Sequence, residues 1–264
     1  MNGGKGMGLF DLNRKVAIIT GSSRGIGRAI AEAYADAGAR VVISSRNQDA
    51  CDAVAAAINA SHGDERAVAI AASISDKRAL QALVDGTRAR FGKIDILVCN
   101  AASNPYYGPM SGISDEQFRK TFENNVLSNH WLIQMIAPEM IGRRDGAIIV
   151  ISSIGGYLAS PVIGAYHITK AADLQLVRNL ALEFGPHNVR VNAIAPGIIR
   201  TDFARALWDN PEAQAALNRA TPLGRIGEPA EVAGTAIFLA SRAGAFVTGQ
   251  SIIVDGGIMI KAAI

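Results

Sequence analysis

Short runs dominated by Val, Ile, Leu and Ala recur along the chain at 15–20, 41–45, 67–71, 94–99, 147–152, 189–195 and 251–254. Strict alternation of apolar and polar residues would mark strands with one wet face. Runs that stay apolar on successive residues instead predict strands buried on both faces, as a parallel sheet requires. The segments between them carry helical spacing and helix punctuation. Ser114-Asp-Glu-Gln117 fits a capping box, in which the serine and glutamine side chains satisfy free backbone N–H groups at a helix start. Pro229 suits the first turn of a late helix, where a missing N–H costs nothing.

Seven such strands alternating with six or more helices predict a doubly wound α/β sheet rather than an eight-fold barrel. No repeat, low-complexity tract or linker divides the chain. Residues 11–264 are therefore expected to form one domain, behind a flexible glycine-rich extension at 1–10. The stretch 201–227 interrupts the strand–helix rhythm, and its Phe203, Leu207 and Trp208 suit a helical flap over a pocket.

Composition narrows the function classes. With 264 residues, 49% hydrophobic and 19% charged, the chain can bury a substantial core and does not have the makeup of a disordered protein. A net charge of +3 without a long basic run gives no electrostatic footprint for nucleic acid. No uninterrupted apolar segment reaches the ~18 residues of a membrane span, and the first residues lack the apolar stretch of a signal peptide. A cytoplasmic protein without a membrane partner is expected. Cys51 and Cys99 lack CxxC spacing and read as reduced, partly buried thiols. His62, His130, His167 and His187 show no ligand spacing, so no metal site is expected.

Glycine, at 27 residues, is in excess, and its placement is informative. The first strand runs into Thr20-Gly-Ser-Ser-Arg-Gly-Ile-Gly27, followed by helical periodicity over 28–37. Gly21, Gly25 and Gly27 permit a tight turn and close backbone approach to a pyrophosphate, which the N–H groups and positive dipole end of the next helix would receive. Ser23, Arg24 and Ile26 lie in the same loop. The second strand ends in Ser44-Ser45-Arg46, and no acidic residue occurs from Ala37 through Gln48. A site for NAD places a carboxylate there to hold the ribose 2′-hydroxyl. Arg46, with Arg24, instead offers planar donor forks suited to a 2′-phosphate, so NADP(H) is favoured over NAD(H).

Tyr166-His-Ile-Thr-Lys170 sets a phenol and an ammonium four residues apart on one helix face. Ser153 ends a buried strand thirteen residues earlier, and Asn125 falls on the preceding long helix. With Thr20–Gly27, Cys99-Asn100-Ala101-Ala102 and Pro196-Gly197 followed by Thr201, these residues resemble the classical short-chain dehydrogenase/reductase family over essentially the whole chain. Residues 100–107 (NAASNPYY) and 201–208 (TDFARALW) look most like its NADPH-dependent carbonyl and retinal reductases. Two departures stand out. Cys-Asn-Ala-Ala replaces the commoner Asn-Asn-Ala-Gly, and Ser73 occupies the place of an Asp that binds adenine, a role that backbone near Ile74 would take over.

The resemblance implies a Rossmann-type fold and metal-free hydride transfer between nicotinamide and a carbonyl or alcohol carbon. It implies Tyr166 as general acid/base, Lys170 favouring the phenolate and holding the ribose hydroxyls, and Ser153 donating to the substrate oxygen. Asn125 would anchor a water linking Lys170 to solvent, and Thr201 would contact the carboxamide. Ser45, Ile74, Asn100, Ala101, Pro196, Gly197 and Ile199 would complete the cofactor contacts. Asn104, Tyr106, Tyr107, Ile154, Phe203 and Trp208 would wall the substrate pocket, and a homotetramer is implied. Reduction of a ketone or aldehyde leads. Reduction of a 3-oxoacyl thioester and oxidation of a secondary alcohol remain open, whereas a regulator without catalysis is opposed by the intact Asn-Ser-Tyr-Lys set.

Overall fold

All seven apolar runs form strands: β1 Val16–Thr20, β2 Arg40–Ser44, β3 Ala67–Ala69, β4 Ile96–Cys99, β5 Gly146–Ile151, β6 Val189–Pro196 and β7 Ser251–Val254. The computed structural model describes residues 8–260. They build one parallel sheet in the order β3-β2-β1-β4-β5-β6-β7, with Ile18 of β1 opposite Val42 of β2 and Leu97 of β4. The helices are α1 Gly25–Asp36, α2 Gln48–His62, α3 Lys77–Phe91, α4 Asp115–Phe122, α5 Ser128–Arg143, α6 Gly164–Phe184, α7 Arg205–Trp208, α8 Pro211–Ala220 and α9 Pro229–Ala240.

Successive strand residues serve opposite faces, which is why the runs are apolar without alternation. Ala17 and Ile19 of β1 and Ile96 and Val98 of β4 pack with Ile30 of α1, Val54 of α2 and Val232 of α9. Ile18 and Leu97 point the other way, into a second cluster with Leu83 of α3, Leu132 of α5 and Leu174 of α6. Each large aliphatic side chain taken fully from water contributes roughly 1.5–3 kcal/mol, so the two clusters make the sheet a rigid platform for the loops at its carboxyl edge.

Several local readings hold. The Ser114–Gln117 capping box starts α4, and Pro229 opens α9. Three differ. The third strand, expected at 67–71, ends at Ala69; beyond it Ile70 N and Ala72 N still donate to Ile43 O and Ser45 O at 3.0 and 2.9 Å, while Gln48 Oε1 accepts from Ala71 N at 2.9 Å. Asn125 does not lie on an unbroken α-helix. A π-helical turn, Glu123–Leu127, joins α4 to α5 and turns Asn125 fully inward. Cys51 and Cys99 are completely buried rather than partly so, and both are free thiols. Of the extension expected at 1–10, residues 1–7 lie outside the described residues, whereas the Leu9 carbonyl accepts from Ala243 N at 3.0 Å.

Candidate active site

The strand order reverses between β1 and β4, and the crevice at their carboxyl ends is where a doubly wound sheet receives ligands. The glycine loop fills one side of it. Gly21 and Gly25 have φ of +67° and +58°, a left-handed conformation that a side chain would strain. A Cβ on Gly27 would come within 2.5 Å of the Gly21 carbonyl and of Asn100 Nδ2, so helix and loop pack backbone to backbone. Arg24 is the N-cap of α1 but supplies no side-chain cap, and the first turn carries no acid. The free N–H groups of α1 therefore face outward beside Ser23 and Ile26, a cradle that fits a pyrophosphate.

Two residues foreseen as cofactor contacts, or lying next to them, serve the loop itself. Asn100 Nδ2 donates to Thr20 O at 2.9 Å and to Gly21 O at 3.2 Å. Thr20 Oγ1 accepts from the backbone of both Asn100 and Ala101, at 3.0 and 3.1 Å. Ser22, which the sequence reading passed over, has its hydroxyl donating to Ile19 O and accepting from Ser44 N, tying the loop to β2. At the end of β2, Ser45 Oγ meets Cys51 Sγ at 3.1 Å. Arg46 is exposed and makes no ion pair among the described residues. Arg24 reaches Asp202 at 3.4 Å. Ser73 Oγ pairs with Ser75 Oγ, and nearby Ile74 is half-buried against the α3 side of the core.

The foreseen catalytic residues converge at the ends of β5 and α6. Ser153 follows β5 and caps a short 3₁₀ turn by accepting from Gly155 N at 3.0 Å, which leaves its own proton available for donation. Tyr166 and Lys170 lie one turn apart on α6, with Lys170 Nζ 5.7 Å from the Tyr166 ring centroid. Asn125 bonds Ser103 in both directions, through Oδ1 and Nδ2 at 2.8 and 2.9 Å, and donates to Thr169 Oγ1 at 3.0 Å. Its amide thus clamps the loop after β4 to α6. Its main-chain carbonyl accepts from Asn129 Nδ2 at 2.7 Å, and through Asn129 it is linked to Lys170.

That connection is a buried chain of polar groups. Lys170, 2% exposed, donates to Ile151 O at 2.8 Å and to Asp173 Oδ2 at 3.1 Å. Asp173 Oδ1 accepts from Asn129 Nδ2 at 3.0 Å, and the same amide donates to Asn125 O at 2.7 Å. Burial opposes the lysine charge, but Asp173 and then Tyr166 outweigh it, so the ammonium is held above the ordinary lysine range. Burial pushes the Asp173 carboxyl up, against the pull of Lys170 and Asn129. The Cys99 thiol is driven up by burial, with Asp173 adding to the effect. Asp173 and Asn129 were not foreseen. The available signal was an acid three residues after Lys170 on an otherwise apolar helix face.

The flap closes over this region. Thr201 stands against the glycine loop, its methyl 3.3 Å from where a Cβ on Gly25 would lie. Phe203 brings its ring to 5.8 Å from that of Tyr166. Pro196 ends β6, Gly197 N donates to Val254 O, and Ile199 bridges in parallel to Gly227, so the flap base is pinned to the sheet. Of the remaining pocket residues, Ile154 is buried beside Ser153, Asn104 is half-buried and Tyr107 is exposed. Two face elsewhere than expected. Tyr106 turns into its own loop, donating to Pro109 O at 2.9 Å. Trp208 lies beneath Arg200 and lines a cleft of about 530 Å³ with Arg28, Glu32 and Glu228, and neither Ser153 nor Tyr166 forms part of its wall.

Comparison with known proteins accounts for this arrangement. A family model described as Enoyl-(Acyl carrier protein) reductase matches residues 21–259. Dehydrogenase/reductase SDR family member 4 of Bos taurus is 38% identical over 246 residues, 93% of this chain and 88% of the relative. A gluconate 5-dehydrogenase from Burkholderia cenocepacia, solved with NADP and tartrate, superposes with a TM-score of 0.91 at 34% identity, covering 97% of this chain and 99% of that one. A 7α-hydroxysteroid dehydrogenase solved with NADH and 7-oxo glycochenodeoxycholic acid superposes with a TM-score of 0.90 at 38% identity, covering 94% and 96%. Among the described residues no helix is long and apolar enough to cross a membrane. Matched across nearly its whole length, with the sheet order and glycine loop in place, the chain belongs to the short-chain dehydrogenase/reductase family of oxidoreductases that use a nicotinamide cofactor.

Proposed function

We propose that this protein is an NADPH-dependent reductase that converts a ketone or aldehyde to an alcohol, with Tyr166 as general acid. The observation that carries the reading is the buried Lys170 ammonium beside the Tyr166 ring, at 5.7 Å from its centroid, next to a glycine loop built for a pyrophosphate. Gly21, Ser23, Arg24, Gly25, Ile26 and Gly27 would hold the pyrophosphate, and Ser45 and Arg46 the phosphorylated ribose. Ala101, Pro196, Gly197, Ile199 and Thr201 would border the nicotinamide half, and Asn100 would act through the loop it braces. The bound cofactor supplies the hydride.

The chain's own groups handle the oxygen and its proton. Ser153, whose Oγ accepts from Gly155 N, keeps its proton free to donate to the substrate oxygen as charge develops there. Tyr166 Oη releases its proton to that oxygen. Lys170, positive and shielded from water, offsets the phenolate left behind. Phe203, its ring 5.8 Å from that of Tyr166, would border the substrate space with Ile154 and Asn104. NADP(H) preference is supported by Arg46, free of any carboxylate partner among the described residues, at the end of a strand without an acid.

A second reading, secondary-alcohol oxidation with Tyr166 as base, is favoured by structural neighbours named as dehydrogenases. A panel of ketones, aldehydes, secondary alcohols and 3-oxoacyl thioesters, followed by NADPH absorbance, distinguishes these. Tyr166→Phe, which removes only the hydroxyl, should retain NADPH binding and lose about 10²–10⁴-fold in turnover; undiminished turnover refutes the mechanism. A homotetramer is proposed from family likeness, supported by exposed Ile168 and Leu182 along α6, and is tested by light scattering.

A further inference from the structure

The most unusual feature of the site is a carboxylate sealed behind it. We infer that Asp173 is a positioning residue, a buried counter-ion that fixes the Lys170 ammonium and sets how readily Tyr166 gives up its proton. This rests on the Tyr166–Lys170 reading above and deepens it.

The geometry specifies the charge state. Asp173 is fully buried, yet both its oxygens meet pure donors, Lys170 Nζ at 3.1 Å and Asn129 Nδ2 at 3.0 Å. An ammonium and an amide N–H can only donate, so beside a charged Lys170 the pattern calls for the carboxylate. The orientation of Asn129 is itself determined, because its two N–H bonds go to two acceptors, Asp173 Oδ1 and Asn125 O. Lys170 has three N–H bonds. Ile151 O and Asp173 Oδ2 take two of them, which leaves one for the Tyr166 side.

The consequence is electrostatic. A lone buried ammonium would leave Tyr166 and Lys170 with a net charge of +1, and loss of one proton would neutralise them. With Asp173 the three groups begin neutral, and loss of one proton leaves a net negative charge in a poorly solvated site. The first ionisation of the coupled pair is therefore held higher than Lys170 alone would hold it, whichever of the two releases the proton. Two further titratable groups lie near the pair: Cys99 on β4, whose thiol burial keeps neutral, and His167 on α6, whose ring centroid is 6.1 Å from that of Tyr166 and whose Nδ1 meets Leu158 O at 2.7 Å. The groups contributed by α5 and β5, Asn129 and the Ile151 carbonyl, are uncharged. A tyrosine kept protonated is suited to deliver a proton, so Asp173 biases the site toward reduction.

The test uses two variants that remove the charge with different shapes, Asp173→Asn and Asp173→Leu, and one that keeps it, Asp173→Glu. Ultraviolet difference titration of the cofactor-free protein, each form measured against its Tyr166→Phe counterpart, reads Tyr166 directly. The pH profile of kcat/KM for alcohol oxidation with NADP reads the same ionisation in turnover. The Asn and Leu variants should move both midpoints down by about one pH unit, with the Glu variant staying near wild type. One unit below the wild-type midpoint, the deprotonated fraction then rises about fivefold. Unmoved or raised midpoints in folded Asn or Leu variants would overturn the inference, whatever happens to overall rate. So would thermal melts showing both charge-removing variants unfolded beside a folded Glu variant, since the pair would then serve stability alone. Absence of turnover in the wild type would sink the proposed reaction but leave the Tyr166 titration as a test of Asp173.

Discussion

Replacing Thr20 by Val removes one hydroxyl and keeps the side-chain shape, which makes it a clean probe of the loop at the centre of the site. Thr20 is 3% exposed, and its Oγ1 accepts from Asn100 N at 3.0 Å and Ala101 N at 3.1 Å. Its own donation, to Val98 O at 3.4 Å, is long and adds little. After substitution both N–H groups face a methyl group. Each orphaned donor costs about 1–3 kcal/mol, so the two part-buried N–H groups together cost about 2–6 kcal/mol. Burial of the added methyl returns about 1 kcal/mol, so the expected loss is about 1–5 kcal/mol. That is a large fraction of a typical domain stability of about 5–15 kcal/mol. Urea denaturation should show a lower midpoint with unchanged slope. Because the Asn100 amide also braces Gly21 O at 3.2 Å, NADPH affinity should weaken at least about tenfold. A stability change below about 0.5 kcal/mol together with unaltered NADPH affinity would refute the idea that this hydroxyl organises the loop.

Other outcomes follow from the same structure. Arg46→Ala should weaken NADPH by about 10–100-fold, the worth of a charge-assisted hydrogen bond, and leave NADH unchanged; equal losses for both cofactors in fluorescence titrations would rule out a 2′-phosphate contact. Arg225 grips both oxygens of Glu231 at 2.7 and 2.6 Å, and with the Glu228 N–H it holds that carboxyl down at about 2. Because the folded value is depressed, this pair stabilises above the ordinary carboxylate range and its contribution is lost as pH falls from about 4.5 toward 2. Urea midpoints of wild type should therefore drop more steeply through that window than those of Glu231→Gln, and parallel curves would show that the exposed pair contributes nothing.

Much of the site was legible because its signals are local. Gly21, Gly25 and Gly27 are read from spacing within one turn, and Tyr166 with Lys170 from one helical repeat. Arg46 stands out because no acid occurs from Ala37 through Gln48. What escaped depends on direction. Lys170 and Asp173 are an i, i+3 pair that on most helices would face water, and the docking of α6 on β6 and on the turn after β5, with Lys170 bonded to Ile151 O, turns them inward. The π turn at Asn125 has no compositional mark, yet it decides that the amide clamps Ser103 to Thr169. Tyr106 and Trp208 read as pocket walls because they are aromatic and lie in the right segments. Their loops turn them to Pro109 O and beneath Arg200.

The sequence by itself determined the parallel sheet, its seven strands, the glycine loop and the family of chemistry, because hydrophobic burial and backbone freedom are written residue by residue. Tertiary structure alone decided which polar groups are spent on each other and which remain for a ligand. Asn100 and Thr20 brace the loop, Asn125 braces the crevice, and Asp173 answers Lys170 in the interior. The reason is physical: a hydrogen bond or a buried charge pair acts over about 3 Å, and residues far apart in the chain reach that distance only when the helices and sheet have packed.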